Sequence, residues 1–350
     1  MPVKRVPCIL LPLLVGWLQV VGGSCAAADW VRAGVNTNRP IWGLRGGLQF
    51  AIPPGGFGGG DGGPRGLIRL GYPTLTKGGY ALINFIAIEP VVAGRRGFSE
   101  LETSRLDGVP GKRLWIGADN AEPQSAPRLD PGRLSSPSPG VEQLELTLRV
   151  EKFDNGAHVF FVLAQRSDAP DELRLTLRRE PDSAPIEQGI LTATMGNLAR
   201  TRRLWLRDAV VTSQELYPQH RGDGFAAHTV FPLARLSRTA SGDVLVAVTT
   251  DEAEPAAVFP FPGSQRWYYA GVPVTQYWRK PASDLRRDLQ AAVNARFTYW
   301  RSQQPIPGGV AFENFELRER FHDGQTVVLG ITRKTPADLG LNQPASARQP

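Results

Sequence analysis

The clearest periodic signal lies between residues 144 and 178. Leu144, Leu146, Leu148 and Val150 alternate with Glu145, Thr147, Arg149 and Glu151, which predicts a strand with one buried and one wet face. Asp154-Asn155-Gly156 has hairpin-turn composition, residues 157–164 return as a second strand, and Leu173, Leu175 and Leu177 alternate with Arg174, Thr176 and Arg178 in a third. His158 falls inside this antiparallel meander and reads as a structural strand residue. Earlier, Leu67-Ile68-Arg69-Leu70 and the run Ala81 to Ile88 are apolar enough for strands buried on both faces, the second closed by Glu89. Further strands are expected at residues 40–44, 48–52, 204–206, 209–211, 244–248, 312–321 and 326–331. In the segment 312–321, Phe315, Leu317 and Phe321 share one face, while Glu316, Arg318 and Arg320 share the other and are expected to pair in solvent.

One helix is expected. Ser283 suits an N-cap, and Leu285, Leu289, Val293 and Phe297 recur at four-residue spacing up to Trp300. The fold predicted is therefore all-β and mainly antiparallel, a β-sandwich of jelly-roll type with one C-terminal α-helix, forming one domain over residues 29–334. A Pro- and Ser-rich loop is expected at 117–140 and a disordered tail at 335–350. The content of 38 glycines and 30 prolines agrees with a turn-rich β fold.

The N-terminus changes the picture of where the protein works. Lys4 and Arg5 precede the apolar run Cys8 to Val21, and Ala26-Ala27-Ala28 offers a small-residue cleavage site, which is the layout of a secretory signal peptide over residues 1–28. Export to the periplasm or the exterior is expected. Membrane attachment is expected only if Cys25 is lipidated, although Gly22 stands where a lipid-attachment motif wants leucine. Cleavage after Ala28 would leave a mature chain with no cysteine, hence no disulfide and no thiol chemistry.

The net charge of +7 stays positive after loss of Lys4 and Arg5. Outside the cytoplasm such a surface suits an anionic polysaccharide. No basic block is dense enough for nucleic acid, since Arg200-Thr201-Arg202-Arg203 runs straight into Leu204-Trp205-Leu206. The glycine-rich run 53–66 lacks the Gly-Lys-Ser/Thr ending of a phosphate loop. Zinc-type histidine spacing and a Gly-x-Ser-x-Gly elbow are also missing from the chain. No cofactor is expected, and calcium is the one metal left open.

Candidate chemistry concentrates in residues 215–228, an aperiodic stretch holding two of the four histidines. Tyr217, His220, Arg221, Asp223 and His228 together offer phenol, imidazole, guanidinium and carboxylate, sufficient for acid, base and charge neutraliser. Trp267, Tyr269, Tyr277 and Trp278 offer flat faces for sugar rings. Arg279 beside them, and Glu89, complete the expected substrate-binding set.

Two enzymatic readings follow. β-Elimination on a uronate polymer would use Tyr217, His220 or His228 as acid and base, with Arg221 or Arg279 as neutraliser. Glycoside hydrolysis would pair two carboxylates from Glu89, Glu100, Glu102, Asp223, Glu313 and Glu316. The non-enzymatic alternative is a glycan-binding or cell-envelope β-sandwich protein.

Overall fold

The alternation seen in the sequence is realised as two large antiparallel sheets packed face to face. The computed structural model describes residues 27–53, 57, 65–73, 79–117, 129–194, 200–250, 273–299 and 303–341. Sheet I contains β1 (Trp30–Val31), β2 (Ile41–Leu44), β3 (Gln49–Ala51), β4 (Ile68–Pro73), β5 (Tyr80–Val92), β6 (Arg95–Arg96), β12 (Gln188–Thr194), β15 (Thr229–Pro232), β19 (Gln290–Arg296) and β20 (Ala311–Arg318). Sheet II contains β7 (Leu114–Ile116), β8 (Arg133–Ser138), β9 (Val141–Val150), β10 (Val159–Arg166), β11 (Glu172–Arg179), β13 (Arg203–Trp205), β14 (Val210–Thr212), β16 (Ser237–Arg238), β17 (Val244–Thr249), β18 (Thr275–Lys280) and β21 (Gln325–Thr332).

Sheet I runs in the order β1-β2-β3-β4-β5-β12-β20-β19-β15, with β6 paired to β5. Sheet II runs β14-β13-β17-β18-β21-β11-β10-β9-β7, with β8 on β9 and β16 on β17. The first five strands of sheet I are sequential neighbours. Beyond them, long-range pairings bring β12, β20, β19 and β15 alongside β5.

The inward faces follow the predicted pattern. Leu144, Leu146, Leu148 and Val150 of β9, with Leu173, Leu175 and Leu177 of β11, meet Ile86 and Ile88 of β5 and Phe315 and Leu317 of β20 in one continuous core. Trp278 is fully buried in it, and its indole Nε1 donates to the Phe315 carbonyl oxygen at 2.9 Å, tying the two sheets together. Trp278→Ala should therefore lower unfolding free energy by about 3–5 kcal/mol in a denaturant titration, from lost burial and the remaining cavity. A loss below 1 kcal/mol would contradict this packing.

The expected helix over 283–300 is instead a 3-10 turn (Ala282–Asp284) followed by β19. A spacing of four residues is also two strand repeats, so Leu289, Ala291, Val293 and Ala295 all face the core from an extended chain. Small alanines filled the intervening positions and hid the alternation. The 117–140 loop is likewise shortened, because Arg133–Ser138 forms a hairpin with β9. Pro137 is tolerated there because this is an exposed edge. Residues 335–341 do not leave the body: Thr335 caps a turn through Asp338, and Leu341 is buried beside Trp205 and Tyr277. Residues 1–26 with Cys25, 118–128 and 342–350 lie outside the described residues.

Candidate functional site

The outward face of sheet I is where the chemistry gathers. Positions opposite the core residues form same-face rows, since side chains alternate along each strand. The central row runs Val230, Ala292, Glu316, Thr192, Ala87 across β15, β19, β20, β12 and β5. One flanking row carries Arg318 (opposite Gln290) and Glu89 (opposite Ile190). The other carries Asn314, Thr194, Phe85 and Arg69. Ala292, Thr192 and Ala87 make this row low between larger flanking side chains, a line we call the trough, and Ala292 leaves room for a neighbouring side chain to reach Glu316.

His228 uses that room. It precedes the edge strand β15, and its Nε2 lies 2.9 Å from Glu316 Oε1. Glu316 is fully buried (0% exposed) and accepts from three donor side chains. Arg318 Nε donates to its Oε2 at 2.5 Å, and Arg96 Nη2 donates to its Oε1 at 2.8 Å. The same Arg96 nitrogen pairs with Glu89 and reaches Thr192 Oγ1 at 3.3 Å. Burial pushes the Glu316 carboxyl up, but the His228 hydrogen bond and the charges of Arg96 and Arg318 outweigh it and hold it at about 2. An ionised carboxylate only accepts hydrogen bonds, so the His228 proton must sit on Nε2. In the neutral ring Nδ1 then carries the lone pair, and the side chain keeps 25% of its surface exposed. The arrangement is an imidazole held from behind by a carboxylate, a geometry able to serve as a positioned base.

Two segments wall the trough. On the β5 side, the stretch after β6 places Phe98 against the Arg96 guanidinium. On the β15 side, Phe225 lies over Arg296 of β19. Within the first wall, Glu102 accepts from the Phe98 and Asp154 amides and pairs with Lys112, which ties down the loop. Glu100 is half-buried beside Ser99, and burial pushes its carboxyl up.

The 215–228 stretch converges less than its composition suggests. It begins in a one-turn helix, α1 (Ser213–Leu216), closed by a capping box: the Glu215 amide donates to Thr212 Oγ1, and the Thr212 amide to Glu215 Oε2. Tyr217 points into the core, and its hydroxyl donates to the Val293 carbonyl oxygen at 2.7 Å. It is a strut under the loop, and burial raises its pKa further from any role as a proton donor. Tyr217→Phe should cost about 1 kcal/mol of stability and leave turnover unchanged; a large fall in kcat at unchanged stability would restore the phenol to the chemistry.

His220, Arg221 and Asp223 sit on the outer tip of the loop. The His220 ring meets the Gly224 carbonyl, Arg221 bonds the His220 carbonyl and covers Phe297, and the Asp223 side chain faces outward. None of the three is joined to His228.

The expected sugar platform is divided between different environments. Trp278 is core. Tyr277 and Arg279 lie on the outward face of sheet II, the far side of the sandwich from His228. Tyr277 lies flat on Gly330, where an added Cβ would come within 2.0 Å of the ring, and donates to Glu172 at 2.9 Å. Arg279 pairs with Glu172 and with Asp243. Trp267 and Tyr269 lie outside the described residues. Of the substrate-binding set, Glu89 alone is placed by the described residues at the trough, through Arg96. Sequence reading missed Arg96 and Arg318 as partners of the site, and offered Glu316 only as a hydrolytic carboxylate or part of a solvated strand face.

Elsewhere, Asp284, Glu319 and His322 hold their ligand atoms within 4.8 Å of one another. The Lys280 ammonium already pairs with both carboxylates, so the cluster carries its own cation. His158, expected inside a strand, sits one residue before β10 and is held by Asp182 at 2.6 Å.

No family model matches the chain, and no curated protein matches it. A solved structure titled "Crystal Structure Analysis of HI1317" aligns over 87% of this chain and 98% of its own, at 11% identity and a TM-score of 0.23. A likeness of that degree carries no inference about fold or activity.

Proposed function

We propose that the protein is an exported carbohydrate-active enzyme that cleaves a uronate-bearing polysaccharide by β-elimination, with His228 as the group that moves the proton. The observation that carries this reading is the imidazole fixed by buried, ionised Glu316, with Nδ1 left for substrate. In the reaction, Nδ1 takes the proton at C5 of the uronate. The C–H electron pair becomes the C4–C5 double bond as the C4–O bond breaks, and the imidazolium returns its proton to the departing oxygen. One residue serves as base and then acid, because Tyr217 and His220 are turned away.

Hydrolysis by paired carboxylates is less well supported. It needs two carboxyl groups facing across an open gap, whereas Glu89 and Glu316 are both bound to one nitrogen of Arg96. Export and the positive net charge agree with a polymeric, anionic substrate met outside the cytoplasm.

The test is incubation with a panel of polysaccharides, following the absorbance of unsaturated uronates alongside reducing ends. Rising absorbance supports elimination. Reducing ends without absorbance would replace it with hydrolysis, and retention on a glycan gel with neither would leave a binding protein.

A further inference from the structure

β-Elimination next to a carboxylate needs a cation on that carboxylate, because the developing carbanion delocalises charge into it. The two arginines expected for this task, Arg221 and Arg279, do not face His228. The trough nevertheless contains a cation that its surroundings leave uncompensated. Arg296 projects from β19 on the outward side, since Ala291, Val293 and Ala295 alternate inward. It is 3% exposed and makes no ion pair among the described residues. Its one hydrogen bond runs from Nη2 to the Asp223 carbonyl oxygen at 3.1 Å, and its Nε is buried with no acceptor. The Phe225 ring covers it at 4.9 Å.

A guanidinium hidden from water without a carboxylate is costly, and neighbouring side chains normally compensate it. Every other arginine described around Glu316 follows that rule: Arg96 and Arg318 are paired with carboxylates. Burial pushes the Arg296 pKa down, and the more distant charges of Glu313 and Asp223 only partly offset it. Its position is also suitable. Thr229 lies opposite Val293 and the Ala226 amide donates to the Ala295 carbonyl, so residues 226–229 run beside 293–296. His228 and Arg296 then lie on adjoining stretches at one edge of sheet I.

We infer that Arg296 is the carboxylate-binding residue of the trough, occupied by the uronate group of the sugar whose proton His228 removes, and covered by the 223–225 loop tip until substrate displaces it. This inference rests on the reading of His228 as the reacting group. Two fork-like hydrogen bonds from Nε and Nη2 match a carboxylate, and Nε has no other partner to give up.

The experiment is affinity electrophoresis of the full mature chain through gels containing polygalacturonate or alginate, and through gels containing the same polymers after carboxyl reduction. Arg296→Gln should weaken retention by the uronate polymers about 10- to 100-fold and leave migration in the reduced polymers unchanged. Arg174→Gln, a charge-matched change of an exposed residue on sheet II, should behave as wild type. Equal losses in the two variants, or no loss in Arg296→Gln, would overturn the assignment.

Phe225 is 54% exposed, so Phe225→Ala tests the same point without a folding risk. It should bind the uronate polymers more tightly and the reduced polymers as before, and an equal change for both, or none, counts against the assignment. His228→Ala should keep Arg296-dependent retention while losing turnover. Retention that depends on Arg296 in a wild-type protein with no turnover would sink the elimination reading and leave the anion site standing.

Discussion

His228→Ala is expected to lower kcat on a uronate polymer by about two to four orders of magnitude, the range for loss of a positioned general base, with little change in stability. The second half of this expectation follows from how Glu316 is held. Losing the imidazole removes one of three partners, but Arg96 and Arg318 still face the two oxygens, so the buried charge is not orphaned. His228 itself is at the rim, partly exposed, and a small cavity there opens to water. The chemical half follows from geometry: no other described group in the trough offers a lone pair to solvent while a carboxylate holds its far side. His220→Ala provides the internal control, because its ring contacts only the loop that carries it. Turnover that survives in His228→Ala but vanishes in His220→Ala would move the chemistry to the loop tip and end the present assignment.

Many of the sheet strands were legible in the sequence, for reasons that particular residues make plain. Strands β9 to β11 announce themselves because one face is wet: Leu173, Leu175 and Leu177 alternate with charges, and the period of two is unambiguous. β19 does not announce itself, because Ala292 and Asn294 are buried on the outward side as well, so polarity stops reporting orientation. The four-residue recurrence of its large apolar residues then fits helix and strand equally.

The trough was invisible for a different reason. Arg96 and Glu316 are 220 positions apart, and they meet only because β12 is inserted between β5 and β20. Nothing local encodes that order. The Glu316–Arg318 face was read as solvated since its alternation is that of a wet sheet; the walls at Phe98 and Phe225 that close over it come from distant segments. The Thr212-to-Glu215 capping box marks where β14 gives way to the loop.

Glu316→Gln is expected to be the most damaging single change to the site's architecture, costing about 3–5 kcal/mol of stability although the side chain keeps its size. The neutral amide leaves the Arg318 and Arg96 guanidinium groups facing each other with Glu89 as the remaining carboxylate, and turns one acceptor oxygen into a donor directed at a cation. The same residue sets an acid limit. Its folded-state pKa of about 2 lies below the ordinary carboxylate value of 4.5, so it contributes stability that is fully present above the ordinary value. That contribution is lost as pH falls toward 2. The integrated shift is on the order of 3 kcal/mol.

Glu100 runs the other way: burial raises its carboxyl, so its contribution weakens as pH rises. The wild-type slope therefore mixes both groups, and the difference between wild type and Glu316→Gln isolates the braced carboxylate. Urea titrations at intervals from pH 6 to pH 2.5 should show the two proteins converging as the solution becomes acidic. Parallel curves across that window would mean that Glu316 is not held ionised by His228 and the two arginines, and the tautomer argument that assigns His228 its free Nδ1 would fall with it.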